Sequence, residues 1–368
     1  MKIYNAKPII SAEMIDEINK VLKSGLLVQG PKVEELEQNF ASYCGTSYCS
    51  ALNSGTAALH SALHVLGIER GAEVITSPFT FAASANSILM VGAKPVFVDI
   101  DPITFNIDAN KISKKINCKT KAIMPIHLYG LLANMPEITS IANHYSLRVI
   151  EDASQAHGAE LNGMKAGSFG DIGTFSFYAT KNIMTIEGGC ITTNNEELNN
   201  RVKRFRHHGQ SLNEQYNYLD FGYNYRLTDL QAVIGLGNLS QIEYLNLRRV
   251  ENAVLYNDFL GDIEGITIPN VPTGYKHVFH QYTIKIGEAY GKSRDSLVEE
   301  LKLNEIFPGV FYPNPLHTYP VFQRLGYKFG DFPVAESISK QVISLPVHPG
   351  VTPADIEKIC EVIINFKK

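Results

Sequence analysis

The chain has 368 residues, more than one hydrophobic core usually organises, so two domains are expected. Its 45% hydrophobic and 19% charged residues describe an ordinary globular protein and exclude a disordered or fibrous chain. A net charge of −4 gives no basic excess for a nucleic-acid partner. No run approaches the roughly 18 apolar residues of a membrane span, and the N-terminal MKIYNAKPII lacks a signal-peptide core. Five scattered cysteines (Cys44, Cys49, Cys118, Cys190 and Cys360) without a CxxC pair suit a reducing compartment, so a cytoplasmic location is expected.

In chain order, Ser11 opens a helical pattern carrying Ile15, Ile18, Val21 and Leu22, and Gly25 stops it. Pro31 suits the first turn of a second helix with Val33, Leu36 and Phe40 inward. NSGTAALHSALHVLG places Leu59, Ala62, Leu63 and Leu66 on one helical face. From residue 73 the period changes. EVITSP, PVFVDI, KAIMPIHLYG and LRVIEDAS are short, β-branched apolar runs that alternate with helical stretches such as Phe81–Val91 and Pro136–Tyr145. That alternation predicts βαβ units and a mostly parallel buried sheet. DIGTFSF and GGCITTN read as two further strands, and Thr228 with Gln231 as a capping box before one long helix over about 229–260. VFHQYTIKI (strand), SRDSLVEELKLN (helix) and a terminal helix from Pro353 form a smaller C-terminal α+β unit. The expected division is 1–245 and 246–368, within an α/β fold of mixed, mostly parallel sheet.

Residues 151–189 carry the most chemistry. Asp152 ends an apolar strand, and in parallel α/β sheets that end faces the ligand crevice. Lys181 lies 29 residues on, in a loop after GTFSFY. An acid and a lysine there meet two needs of pyridoxal 5′-phosphate: an amine for its aldehyde and an anion for its pyridine nitrogen. Spacing alone also allows a loop cap and a solvated surface charge, and favours that plainer reading. The phosphate wants free N–H groups at a helix start, which Asn53-Ser54-Gly55-Thr56 offers, although simple N-capping accounts for the same residues. Ser176 is a second hydroxyl candidate, and Phe81 could stack on a flat ring or simply pack in the core.

Taken together, SGLLVQGPKVEELEQNFA, NSGTAAL, SPFTFAASAN, KPVFVDID, IHLYG, EDASQAHGA, GSFGDIGTFSFYATKN, EGG, GYNYRLTDLQAVIGL and YPNPLH span nearly the whole chain. In this order and spacing the chain resembles the nucleotide-sugar aminotransferases of the DegT/DnrJ type, with the aspartate-aminotransferase-like fold (PLP fold type I). The resemblance implies that Lys181 forms the Schiff base and shuttles the proton. It implies that Asp152 pairs with the pyridinium nitrogen and Gln155 hydrogen-bonds the ring oxygen. Gly55, Thr56 and Ser176 would bind the phosphate, and Phe81 would stack on the ring. Asn224 matches an asparagine that reaches the phosphate from the neighbouring subunit, which implies a homodimer with shared sites. Tyr312 and His317 lie where such enzymes border the sugar nucleotide. The implied reaction passes an amino group from an amino acid, L-glutamate, to a keto sugar nucleotide. The loop KNIMTIEGG looks more like that of enzymes aminating C4 of an NDP-4-keto-6-deoxyhexose than that of C3-aminating relatives. A C3 enzyme or a non-catalytic PLP-binding regulator are the alternatives. A sugar dehydratase of the same fold would carry histidine in place of Lys181.

Other patterns are set aside. His60 and His64 form HxxxH without the glutamate that zinc hydrolases place after the first histidine. Asp99 and Asp101 lack further ligands at EF-hand spacing. No metal is expected.

Overall fold

The structure is a computed structural model and describes residues 2–367. Its first helix, α1 (Ala12–Ser24), starts where Ser11 Oγ accepts the Met14 N–H at 3.3 Å and stops at Gly25, which adopts φ 74°. The second, α2 (Pro31–Cys44), has no cap from its own N-cap residue, Gly30. The carboxylate of Asp229 supplies one from a distant part of the chain, accepting the N–H groups of Gly30, Lys32 and Val33 at 2.8, 3.2 and 3.0 Å.

Seven strands form the central sheet: β1 (Tyr48–Leu52), β2 (Glu73–Thr76), β3 (Lys94–Phe97), β4 (Thr120–Ile123), β5 (Arg148–Asp152), β6 (Ile172–Ser176) and β7 (Gly189–Thr193). Their spatial order is β1-β7-β6-β5-β4-β2-β3. Every pair from β6 to β3 is parallel, whereas β7 runs antiparallel to both its neighbours. This is the expected mixed, mostly parallel sheet. Helices α3 (Gly55–Val65), α4 (Ala82–Met90) and α5 (Met135–Tyr145) connect its strands, and α6 (Glu196–Phe205) follows β7. Apolar clusters bury both faces of the sheet, one built on Phe40, Phe175 and Phe177 and another on Leu59, Leu63 and Ile150.

The long helix expected over 229–260 is instead two helices, α7 (Asp229–Leu239) and α8 (Ile242–Leu260). The capping box of Thr228 and Gln231 is present. The break comes from the end of α7. Gly235 and Gly237 weaken it, and the side chains of Ser240 and Gln241 turn back onto the Gly237 carbonyl at 2.9 and 3.5 Å. The two pieces then serve different partners: α7 packs on α1 and α2, and α8 on the terminal helix Pro353–Lys367.

A second core gathers Tyr256, Tyr282, Tyr290, Leu297 and Ile356 around a three-stranded antiparallel sheet of Ile266–Thr267, Tyr282–Ile286 and Val342–Leu345. The expected division at 245/246 falls inside α8, whose start (Ile242) packs in the first core and whose later turns (Ala253, Tyr256, Leu260) pack in the second. Among the described residues no helix is long and apolar enough to cross a membrane.

Candidate active site

Topology brings the two key residues to one edge. Strands β5 and β6 are parallel neighbours, with Asp152 in register with Thr174. Past the end of β6 the chain turns back, and the Lys181 N–H bonds the Tyr178 carbonyl at 2.8 Å. Asp152 is only 4% exposed. Its Oδ2 accepts the Ser84 hydroxyl at 2.7 Å and its Oδ1 accepts the Ser154 N–H at 3.2 Å. Burial lowers the affinity of the Lys181 amine for its proton, to a pKa of about 8, and the negative charge of Asp152 limits that fall. The two groups therefore share one electrostatic environment.

A cradle lies beside them. Gly189 of β7 sits opposite both Ser176 of β6 and Leu52 of β1, so the start of α3 is held next to the Ser176 hydroxyl. Bulk is excluded here. A Cβ on Gly55 would stand 2.7 Å from Ser176 Cβ, and one on Gly189 would stand 2.6 Å from the Ser54 backbone. Ser54 Oγ accepts the Ala57 N–H at 3.0 Å. The N–H groups of Gly55 and Thr56, in the first turn, have no intrahelical acceptor. Two free amides, a helix N-terminus, Thr56 and Ser176 make a ready anion cradle.

Gln155 joins the remaining elements. Its Oε1 accepts the Tyr129 N–H at 2.8 Å and its Nε2 donates to the Tyr312 hydroxyl at 3.1 Å. Burial and the nearby Asp152 charge push the Tyr312 phenol well above the ordinary range, so it stays protonated. Phe81 caps α4, is 61% exposed, and has its ring 6.5 Å from that of Tyr312. Tyr312 also meets the ring of Phe79 edge-on at 6.1 Å.

Two expected residues stand apart. His317 is fully buried, with Nε2 2.7 Å from the Glu336 carboxylate and its ring against Phe332. Its side chain is tied to the Glu336 carboxylate, beside the segment that carries Tyr312. Asn224 is exposed, and its own carbonyl accepts the Asn53 side chain at 3.2 Å. Sequence reading missed Ser84, Thr80 and Tyr129. Thr80 and Ser84, 3.1 Å apart, form a hydroxyl pair that ends on Asp152. Their signal was the SPFTFAAS segment itself, which puts Ser84 one turn beyond Phe81. His60 and His64 pack among Phe205, Phe221 and Tyr223.

The donor set fits pyridoxal phosphate: an amine of lowered basicity, a buried carboxylate in its field, and an anion cradle too tight for a side chain at Gly55. When bound, that cofactor supplies an aldehyde that captures amines and a ring that accepts electron density. This fold and this site define a PLP-dependent transaminase. The chain belongs to the DegT/DnrJ/EryC1/StrS aminotransferase family, whose sequence profile matches residues 8–364. It is 40% identical to the GDP-perosamine synthase of Caulobacter vibrioides, over 90% of this chain and 88% of that one. It is 38% identical to a UDP-N-acetyl-3-dehydro-α-D-glucosamine 3-aminotransferase of Acidithiobacillus ferrooxidans, over 95% and 93%. The crystal structure of DesV from S. venezuelae, in complex with a ketimine intermediate, superposes with a TM-score of 0.93 at 33% identity, covering 97% of this chain and 95% of that one. The protein is a sugar-nucleotide aminotransferase that uses pyridoxal phosphate.

Proposed function

We propose that the enzyme passes an amino group from L-glutamate to C4 of an NDP-4-keto-6-deoxyhexose. The observation that carries the reading is the Lys181 amine held at low basicity in the field of Asp152, beside the Gly55 cradle. In this reading Gly55, Thr56 and Ser176 bind the phosphate. Asp152, fixed by Ser84, holds the proton on the pyridine nitrogen. Lys181 moves a proton at Nζ in both half-reactions, a task suited to an amine whose pKa lies near working pH. Gln155 steadies the ring oxygen. Phe81 covers a ring face and, with Tyr312, keeps water from it. Tyr312 borders the sugar. The KNIMTIEGG loop supports C4; the relative named as a 3-aminotransferase supports C3.

The same reading makes the enzyme a homodimer in which Asn224 of the partner subunit completes each phosphate cradle. Exposed Tyr216, Tyr218, Leu219 and Phe221 beside that asparagine support it, because a patch of this kind marks a contact surface. We place the domain boundary within α8. Incubation with glutamate and a panel of 3-keto and 4-keto sugar nucleotides tests the chemistry. A 4-amino product is expected, and a 3-amino product alone rejects the C4 assignment. Mixing Lys181→Ala with Asn224→Ala protein tests the shared site: hybrid dimers should restore up to about a quarter of the wild-type sites. No recovery above the separate variants sinks it.

A further inference from the structure

Arg249, on α8, is 6% exposed and has no ion pair among the described residues. Its Nη1 makes only long hydrogen bonds, to the carbonyls of Phe279 (3.3 Å) and His280 (3.4 Å). Its Nε–H is buried with no hydrogen-bond partner. A guanidinium keeps its charge in a protein, and a buried charge with no counter-ion is strongly unfavourable. Burial lowers Arg249 to about 10, and no carboxylate offsets it.

Arg249 borders a small void of about 20 Å3, together with Lys7, Thr180, Lys181, Asn182 and Asn238. That volume holds one water-sized occupant. Its lining residues include Lys7, Lys181 and Arg249 and no carboxylate. Arg249 helps keep His157, His280 and His348 from protonating, Lys7 acts on His348 in the same sense, and Lys181 does so on His157 and His280. His277 is held neutral by burial. The carboxylates acting on this group are Asp355, felt by His348, and Asp152, felt by Lys181. Neither reaches Arg249.

We propose that this void binds one small monovalent anion of chloride size, taken up by the Arg249 guanidinium. A water could satisfy the Nε–H but would leave the charge uncancelled. A bound anion also adds negative charge beside Lys181 and raises the affinity of that amine for its proton. The site itself stands whatever role Lys181 plays.

Bromide is the probe. Holoenzyme crystals grown in sodium bromide should show an anomalous peak in contact with Arg249 Nε. In solution, thermal melting of the holoenzyme should rise with sodium chloride, and not with sodium gluconate at equal ionic strength, because gluconate is too large for the void. Arg249→Met should lose the chloride-specific rise. The crystal measurement needs no variant, so a poorly folding Arg249→Met leaves the test intact. Bromide found only on the surface, or a melting temperature that responds equally to both salts, overturns the proposal.

Discussion

The low basicity of Lys181 has a direct kinetic consequence in the cofactor-free protein, because only a neutral amine attacks an aldehyde. With the amine at about 8, about a tenth of it is neutral at pH 7, against about three in ten thousand for a lysine at the ordinary 10.5. The neutral fraction available to capture added pyridoxal phosphate at pH 7 is therefore about 300-fold larger than basicity at 10.5 would allow, and capture should be correspondingly faster, less the lower nucleophilicity of a weaker base. The rate should climb with pH and level off above about 8. Asp152 is the charge that holds the proton on. Asp152→Asn should move the midpoint to lower pH, even as the completed holoenzyme loses most of its turnover. Stopped-flow absorbance, normalised to each protein's own plateau and run against a simple aliphatic amine, reads the midpoint. A wild-type midpoint near 10.5, or an upward move in Asp152→Asn, would refute the claim that burial and Asp152 together set the proton affinity of this amine.

Three further outcomes follow from the packing. Gly55→Ala puts a methyl 2.7 Å from Ser176 Cβ, so it should destabilise by about 1–3 kcal/mol and weaken cofactor affinity, measured by urea unfolding and equilibrium titration. Asp229→Ala strands the N–H groups of Gly30, Lys32 and Val33 and should cost about 2–4 kcal/mol in the same unfolding assay. Ile186 is a β-branched residue at φ 72° and 52% exposed. Ile186→Gly should raise stability by about 0.5–1 kcal/mol, since relief of the left-handed backbone outweighs the added entropy of glycine in the unfolded chain. A lower melting temperature in that variant counts against the strain.

Much of this architecture is legible in local patterns. Short continuous apolar runs and helical stretches of period near 3.6 give the alternating units, and Ser11, Gly25 and Thr228 mark helix ends because capping is a local interaction. Asp152 stands out at a strand end and Lys181 in the loop after a strand, but their proximity depends on β5 and β6 being neighbours, which is a property of the sheet. Long-range features stay hidden for the same reason. Nothing near Ser84 announces that its hydroxyl ends on a carboxylate 68 residues away. Nothing near His317 shows that Glu336 will claim it in the interior. The break between α7 and α8 comes from Gly235, Gly237 and the side chains that turn back onto the Gly237 carbonyl, and a continuous helical period conceals it.

The central claim, that Lys181 is the lysine carrying the cofactor, is tested most directly by trapping. Holoenzyme reduced with borohydride and digested should yield one phosphopyridoxyl peptide, modified at residue 181, and Lys181→Ala should yield none. A label on any other lysine, or an unlabelled wild-type protein that still transfers amino groups, would contradict the account.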